Sequence, residues 1–361
     1  MRVLHRLSSR RLALLAIACP ALCWAANDTA SAAPAAASGP FIALLLPLSS
    51  PQFAPPARAV RQGCETALAH SGYKVPLQVS PTDGSQEQIV AGYDAAVKRG
   101  ARVVVGPMTR SGVAALAGTP AAVVPTLALN SPEGDVALPA RIFVFGLLVE
   151  AEARLVARQA YANRLHRAVV VQAATPLARR IARAFAREWL ALSGKILDLQ
   201  DFGRESDLFR LKRRLSRSEA DVIFLSANAE QARQVRPFLD NQLPTYSTSL
   251  VYDGRASPVG NTDLNGLHFV DMPWLIQPDH PAVMVYPRPE NLTPEMQRFF
   301  ALGIDACRIA AELAQDREHF ALDGVTGWIK VGAGQVVERE PVAAIFRDGA
   351  AAAVDAKDEP R

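Results

Sequence analysis

Between residues 41 and 271 short apolar runs alternate with stretches of helical periodicity, and this alternation constrains the fold of the 361-residue chain more than any other feature. The first run, Phe41-Ile-Ala-Leu-Leu-Leu46, carries no polar residue at alternate positions. A short strand of that kind fits a sheet covered on both faces, and strand followed by helix, repeated, builds a parallel sheet with right-handed crossovers. Strands are expected at 41–46, 75–79, 102–105, 124–129 and 142–146, with helices at 57–70, 86–99 and 111–117 between them. Ser85 followed by Gln88 marks the start of the second helix as a capping-box pattern.

A second series begins after Gly146: helix 149–164, strand 168–172, helix 176–193, strand 195–200, helix 206–217, strand 221–226, helix 229–239, and strands near 245–249 and 266–271. Asn228 with Gln231 is a second capping pair. The chain therefore predicts two α/β lobes of similar size. Beyond them, Thr293-Pro294-Glu295 opens a helical region that includes 304–315, and Trp328–Val331 and Val336–Phe346 flank Gly332-Ala-Gly334 as a hairpin. A helix returning to the first lobe and a hairpin returning to the second make several hinge crossings, as in two-lobed clamshells. The expected organisation is an export signal over 1–25, an Ala/Pro-rich disordered linker over 26–40, lobe 1 from 41–147 plus 275–322, lobe 2 from 148–274 plus 323–346, and a disordered tail over 347–361.

Arg2, Arg6, Arg10 and Arg11 precede the apolar stretch from Leu12, and Cys23-Trp24-Ala25 offers small residues for cleavage. Ser9-Arg10-Arg11 also fits a twin-arginine signal, and Ala16-Ile-Ala-Cys19 fits a lipobox with Cys19 as the lipidated residue. The destination is the periplasm in each case, with attachment to the outer membrane if Cys19 is acylated. Four of the 39 basic residues lie in this signal and none of the 35 acidic ones does, so the mature chain carries 35 of each. The sequence pI of 9.0 is then largely a property of the signal, and no nucleic-acid partner is expected, because phosphate binding needs a standing excess of Lys and Arg. Cys64 and Cys307 remain after cleavage; an oxidising compartment allows them to pair, and buried small hydrophobes are the other reading.

The chemistry of an enzyme is not indicated. No Gly-x-Ser-x-Gly elbow occurs, and Gly106-Pro-Met-Thr-Arg-Ser-Gly112 lacks the Lys of a phosphate loop, so it reads as a strand-to-helix turn capped by Ser111. The histidines do not cluster, no metal-ligand spacing exists, and no cofactor is implied. Asp201, Asp207, Asp221 and Asp305 fit caps or solvated helix faces. What remains is a cleft at the carboxyl ends of the strands, where α/β sheets hold ligands. Its candidates are Ser49, Ser50, Met108, Thr109, Asn130, Ser131, Thr175, Ser226, Asn228, Tyr252 and Asp253. They would orient a small polar ligand, although turns and helix caps select the same residue types.

Four stretches resemble the LpoA/LppC family of penicillin-binding-protein activators, in its carboxyl-terminal domain: Ile42–Ser49, Val103–Pro107, Asp221–Gln234 and Gly266–Leu275, extended by Leu302–Ala306. The resemblance spans most of 41–346. It implies a two-lobed type I periplasmic-binding-protein fold and a non-catalytic role in stimulating a class A penicillin-binding protein, a peptidoglycan synthase, by protein contact. Trp274, within Pro273-Trp-Leu275, is a candidate partner contact if exposed; the alternative is a Trp packed into the interlobe hinge. The competing reading of the whole chain is a solute-binding receptor for an amino acid or peptidoglycan fragment that serves a transporter.

Overall fold

A strand apolar at every position has to bury both faces, and the run that opens the first lobe does so. In β1 (Phe41–Leu46) Ile42, Leu44 and Leu46 enter one core, and Phe41, Ala43 and Leu45 enter another on the opposite face. Each buried Leu or Ile contributes about 1.5–3 kcal/mol relative to exposure. The computed structural model describes residues 40–354 except 71 and 121. The expected export signal with Cys19, the expected linker up to 39 and the chain from 355 onward lie outside the described residues.

The first lobe continues through α1 (Ala54–His70), β2 (Leu77–Pro81), α2 (Gln86–Lys98), β3 (Ala101–Val105), α3 (Arg110–Ala117), β4 (Thr126–Ala128) and β5 (Ile142–Val144). Its five strands are all parallel, in the order β2-β1-β3-β4-β5. The second lobe runs through α4 (Val149–Ala162), β6 (Arg167–Ala173), α5 (Pro176–Ala191), β7 (Lys195–Phe202), α6 (Glu205–Leu215), β8 (Val222–Ser226), α7 (Ala229–Val235), β9 (Thr245–Ser247) and β10 (Leu267–Asp271). These five strands are parallel and form most of a seven-stranded sheet. Both lobes are thus mainly parallel sheets flanked by helices, as the alternation requires.

The remaining elements are α8 (Pro273–Ile276), α9 (Pro281–Met284), α10 (Pro294–Leu313), β11 (Phe320–Asp323), β12 (Trp328–Val331), β13 (Glu338–Glu340), β14 (Val342–Arg347) and β15 (Ala350–Ala353). Here the structure corrects three expectations. The hairpin partner of β12 is β13, and Pro341 separates β13 from β14, which pairs antiparallel with β10 in the second sheet. A proline has no N–H to continue the ladder. Val325, Ile329, Val331 and Val337 pack into the first core, so the segment assigned to lobe 2 from residue 323 stays with lobe 1 until about 340. The tail is ordered as far as β15, because Asp348 and Gly349, with φ of 52° and 73°, make a two-residue hairpin turn that returns the chain along β14.

The polypeptide crosses between lobes three times. Leu147 packs on the first core and Val149 on the second lobe; Met272 and Trp274 belong to the first core and Ile276 to the second; Val337 belongs to the first and Val342 to the second.

Helix α10 returns to lie along α1 with backbones almost touching. A Cβ at Gly303 would stand 2.1 Å from the Val60 carbonyl oxygen, and one at Gly63 would stand 2.0 Å from that of Phe300. This approach brings Cys64 and Cys307 into a disulfide with Cα atoms 5.2 Å apart, in place of the unpaired hydrophobes that remained open from sequence. Helix propensity favours Ala over Gly by about 1 kcal/mol, but a backbone carbonyl cannot rotate away from a new methyl. Gly303→Ala is therefore expected to lose about 1–3 kcal/mol in urea unfolding. Gly332→Ala, where a Cβ meets nothing within 4 Å, serves as the control. Equal stability of the two variants would contradict the close-approach account.

Candidate functional site

Parallel strands deliver their loops to one edge of each sheet, and the cleft candidates sit on those loops. Their polar atoms are engaged locally. The Thr109 side chain accepts from Gly112 N at 3.2 Å and caps α3, displacing Ser111 from that role. Thr175 caps α5 through Ala178 N at 3.2 Å, and Asn228 caps α7 through Gln231 N at 2.9 Å while Gln231 returns to Asn228 N. Buried Ser226 donates to Ala178 O at 2.8 Å. Asn130 donates to the Met108 carbonyl at 3.2 Å and accepts from Ser131 N. The exposed turn residue Ser49 donates its N–H to Thr82 O, while Ser50 is buried and its carbonyl accepts from Ala54 N at the start of α1. Met108 is core, and Asp253 pairs with Arg233 at 2.7 Å. Tyr252 is buried, which pushes its phenol pKa up, and its backbone carbonyl is drawn into the interlobe contact described next.

Trp274 is not a surface anchor. Its side chain is 0 % exposed, Nε1 donates to Gln297 at 2.7 Å, and the Arg288 guanidinium lies 4.6 Å from the ring centroid. A tryptophan at a crossing between lobes is stabilised most by full burial with its N–H satisfied.

The arrangement that joins the lobes is made of other residues. From the first turns of α10, Arg298 reaches into the second lobe, pairs with Asp271 at the end of β10 and donates to Tyr252 O at 2.8 Å and Ser249 O at 3.5 Å. The Asp271 side chain is 1 % exposed and that of Arg298 15 %. Burial pushes the Asp271 carboxyl pKa up, and Arg298 pulls it back. Ser249 in turn donates N–H and Oγ to Glu152 of α4, at 3.2 and 2.7 Å, and the other Glu152 oxygen pairs with Arg339 of β13 at 2.9 Å. Arg339 also donates to Thr326 O at 3.1 Å. Thr326 is held by buried Asp305 of α10, which accepts its N–H and Oγ at 2.7 Å each and pairs with Arg308 at 3.1 Å. The chain of contacts leaves α10, passes through both lobes and returns to α10.

Asp305 was expected on a solvated face and is fully buried; burial raises its carboxyl pKa, opposed chiefly by Arg308. Asp207 behaves as read, accepting from Arg204 N at the start of α6, whereas Asp201 lies on strand β7, paired with Arg179 at 2.9 Å, and Asp221 precedes strand β8 and accepts from His166 N and Arg167 N, so neither caps a helix or lies on a helix face. A signal for Glu152 was present, since it lies on the helical stripe of Ala153, Val156, Ala157 and Ala160. A carboxylate on a buried stripe implies a buried cation. Nothing local indicated that the cation is Arg339, nearly two hundred residues away. A further close approach supports the joint: Gly254, at φ +78°, would place a Cβ 2.2 Å from Pro294 at the start of α10.

Acids and bases in this network are matched in number and tied to backbone, so it holds lobes together and offers no unpaired nucleophile or base. Among the described residues no cluster of metal-ligating side chains occurs and no helix is long and apolar enough to cross a membrane.

A family model described as LppC putative lipoprotein matches residues 38–215 and 210–349. Penicillin-binding protein activator LpoA of Photobacterium profundum is 26% identical over 343 residues, covering 84% of this chain and 55% of that protein. The same activator from Histophilus somni is 26% identical over 326 residues, covering 88% and 55%. The chain thus spans about half the length of these curated relatives. Among solved structures, a putative branched-chain amino acid ABC transporter from Chromobacterium violaceum is 35% identical with a TM-score of 0.75, covering 85% of this chain and 100% of that one. The LpoA C-domain from Haemophilus influenzae, a regulator of PBP1A, is 22% identical with a TM-score of 0.74, covering 87% and 99%. The shared architecture is the two-lobed periplasmic-binding-protein-like fold.

Proposed function

Because this chain belongs to the LppC putative lipoprotein family, we propose that it is a non-catalytic regulator that activates a class A penicillin-binding protein by protein contact in the periplasm. The observation that carries this reading is the buried, charge-matched network between lobes. A receptor that traps solutes works by hinge closure, which requires its lobes to separate at low cost. Lobes joined through Arg298, Asp271, Glu152 and Arg339 present a fixed outer surface, as a contact regulator needs. The disulfide suits an oxidising compartment, and export with processing at Ala25 or acylation at Cys19 belongs to the same proposal.

Mature protein mixed with the periplasmic region of a class A penicillin-binding protein is expected to bind it and to accelerate glycan polymerisation. Mass spectrometry of the exported protein's first residue distinguishes Cys19 from Ala26. Absence of both binding and stimulation sinks the regulator. One observation favours the solute receptor instead: the 35% identity to the Chromobacterium violaceum protein runs over the whole of that chain. Saturable heat of binding for a branched-chain amino acid or a muropeptide, without an effect on the synthase, would establish that alternative.

A further inference from the structure

Helix α6 buries Leu211 and Leu215 against its own lobe, yet its outer side carries both a large apolar ring and a dense set of cations. Phe209 is 57% exposed and meets Phe238 edge to face at 5.4 Å. Helical spacing puts Lys212, Arg213 and Ser216 in the same sector as Phe209, with Arg217 just beyond the helix end. Among the described side chains the neighbouring acids are already taken: Asp198 pairs with Arg214 at 3.4 Å, Asp207 with Arg210 at 3.9 Å, and Glu219 with Arg167 at 3.6 Å. Among the described side chains, Lys212, Arg213 and Arg217 have no ion-pair partner.

Beside this face, at the carboxyl ends of β6 and β7, lies a cavity of about 580 Å³ whose walls include Phe202, Leu208 and Phe238, with Arg204, Gln231 and Gln234 at its polar side. A cavity of that size accepts a large apolar side chain, and an anchor seated in a pocket and ringed by polar contacts is how a few residues dominate an interface. Resting on the regulator reading above, we propose that α6 and this cavity are the docking surface for an acidic, amphipathic segment of the synthase. One apolar side chain enters the cavity against Leu208 and Phe238, with Phe209 packed on Phe238 beside it, and its flanking carboxylates meet Lys212, Arg213 and Arg217. An anionic membrane is the less fitting occupant. Insertion into lipid needs a continuous apolar helix face, whereas α6 turns its leucines inward and leaves Phe209 alone outside a concave pocket.

The test compares mature protein with the charge-reversed Lys212→Glu/Arg213→Glu/Arg217→Glu variant and with Phe209→Ser, measuring affinity for the purified periplasmic region of a class A penicillin-binding protein at low and physiological salt. All four side chains are exposed, so both variants should keep the parent thermal midpoint. The triple variant should bind more than tenfold more weakly at low salt, and its affinity should rise with salt where that of the unaltered protein falls, because reversed charges turn the attraction that salt screens into a repulsion. Phe209→Ser should weaken binding several-fold, while Arg183→Glu/Arg187→Glu on α5 should leave it within twofold. Undiminished binding by both α6 variants overturns the docking surface and leaves the regulator reading standing. Failure of the unaltered protein to bind overturns both. Binding to phosphatidylglycerol vesicles that the triple variant loses, with synthase affinity unchanged, assigns the face to membrane and also overturns the proposal.

Discussion

Arg298→Ala is expected to destabilise the protein by about 3–5 kcal/mol and to loosen the two lobes, because it leaves the Asp271 carboxylate buried without a counter-charge. Asp271 has one short outlet, the Met272 N–H at 2.8 Å, and no solvent to take the place of the guanidinium. Two further interlobe hydrogen bonds, to Tyr252 O and Ser249 O, vanish with the same side chain. Urea unfolding reads the energy, and small-angle scattering of the folded variant reads the lobes, with an increased radius of gyration expected. Replacing both partners, as Arg298→Met with Asp271→Leu, should recover most of the stability, since a buried ion pair contributes little net free energy over a well-packed apolar pair. A small loss in Arg298→Ala with no change in scattering would show that the three chain crossings fix the lobes without the ion pairs. The rationale for a rigid regulator would then lose its main support.

Removing the disulfide should have an effect of comparable size, for a different reason. Cys64 and Cys307 are 243 residues apart in sequence, so their bond closes a loop that contains the five parallel strands of the second lobe. Denying the unfolded chain that freedom contributes about 5 kcal/mol on the chain-entropy model, and native disulfides typically contribute about 2–5 kcal/mol when measured. Cys64→Ala/Cys307→Ala is expected to unfold at correspondingly lower urea. Because both sulfurs are buried, the cavity left in the α1–α10 seam adds to the loss. Dithiothreitol should lower the stability of the unaltered protein towards that of the variant and leave the variant where it is. Equal stability of the two without reductant would mean that the glycine-to-carbonyl contacts hold the seam unaided.

Much of the fold was legible because its signals are local. Strands such as Phe41–Leu46 and Val222–Ser226 are continuous apolar runs, and caps such as Asn228 with Gln231 form within four residues. Where reading from sequence failed, it usually failed at elements whose partner is remote. Val342–Arg347 looks like the return arm of a nearby hairpin, and its ladder is instead with β10. The Asp348-Gly349 turn was a local signal for β15, outweighed by the small, polar composition around it. At the candidate site, residue type and position were correctly placed at strand ends, but hydroxyls and amides there cap helices as readily as they bind ligands. Thr109, Thr175 and Asn228 do the former.

The sequence by itself determined two α/β lobes with mainly parallel sheets, because hydrophobic period and capping act over a few neighbouring residues, and its motifs, such as Asp221–Gln234 and Gly266–Leu275, carried the resemblance to the family. Only the tertiary structure decided that Trp274 is interior, that Cys64 and Cys307 are joined, and that Arg298, Asp271, Glu152 and Arg339 bind the lobes to each other. Burial, disulfide geometry and ion pairing depend on distances between residues far apart in the chain. Those distances exist only once α10 has returned to α1 and the polypeptide has crossed the hinge for the third time.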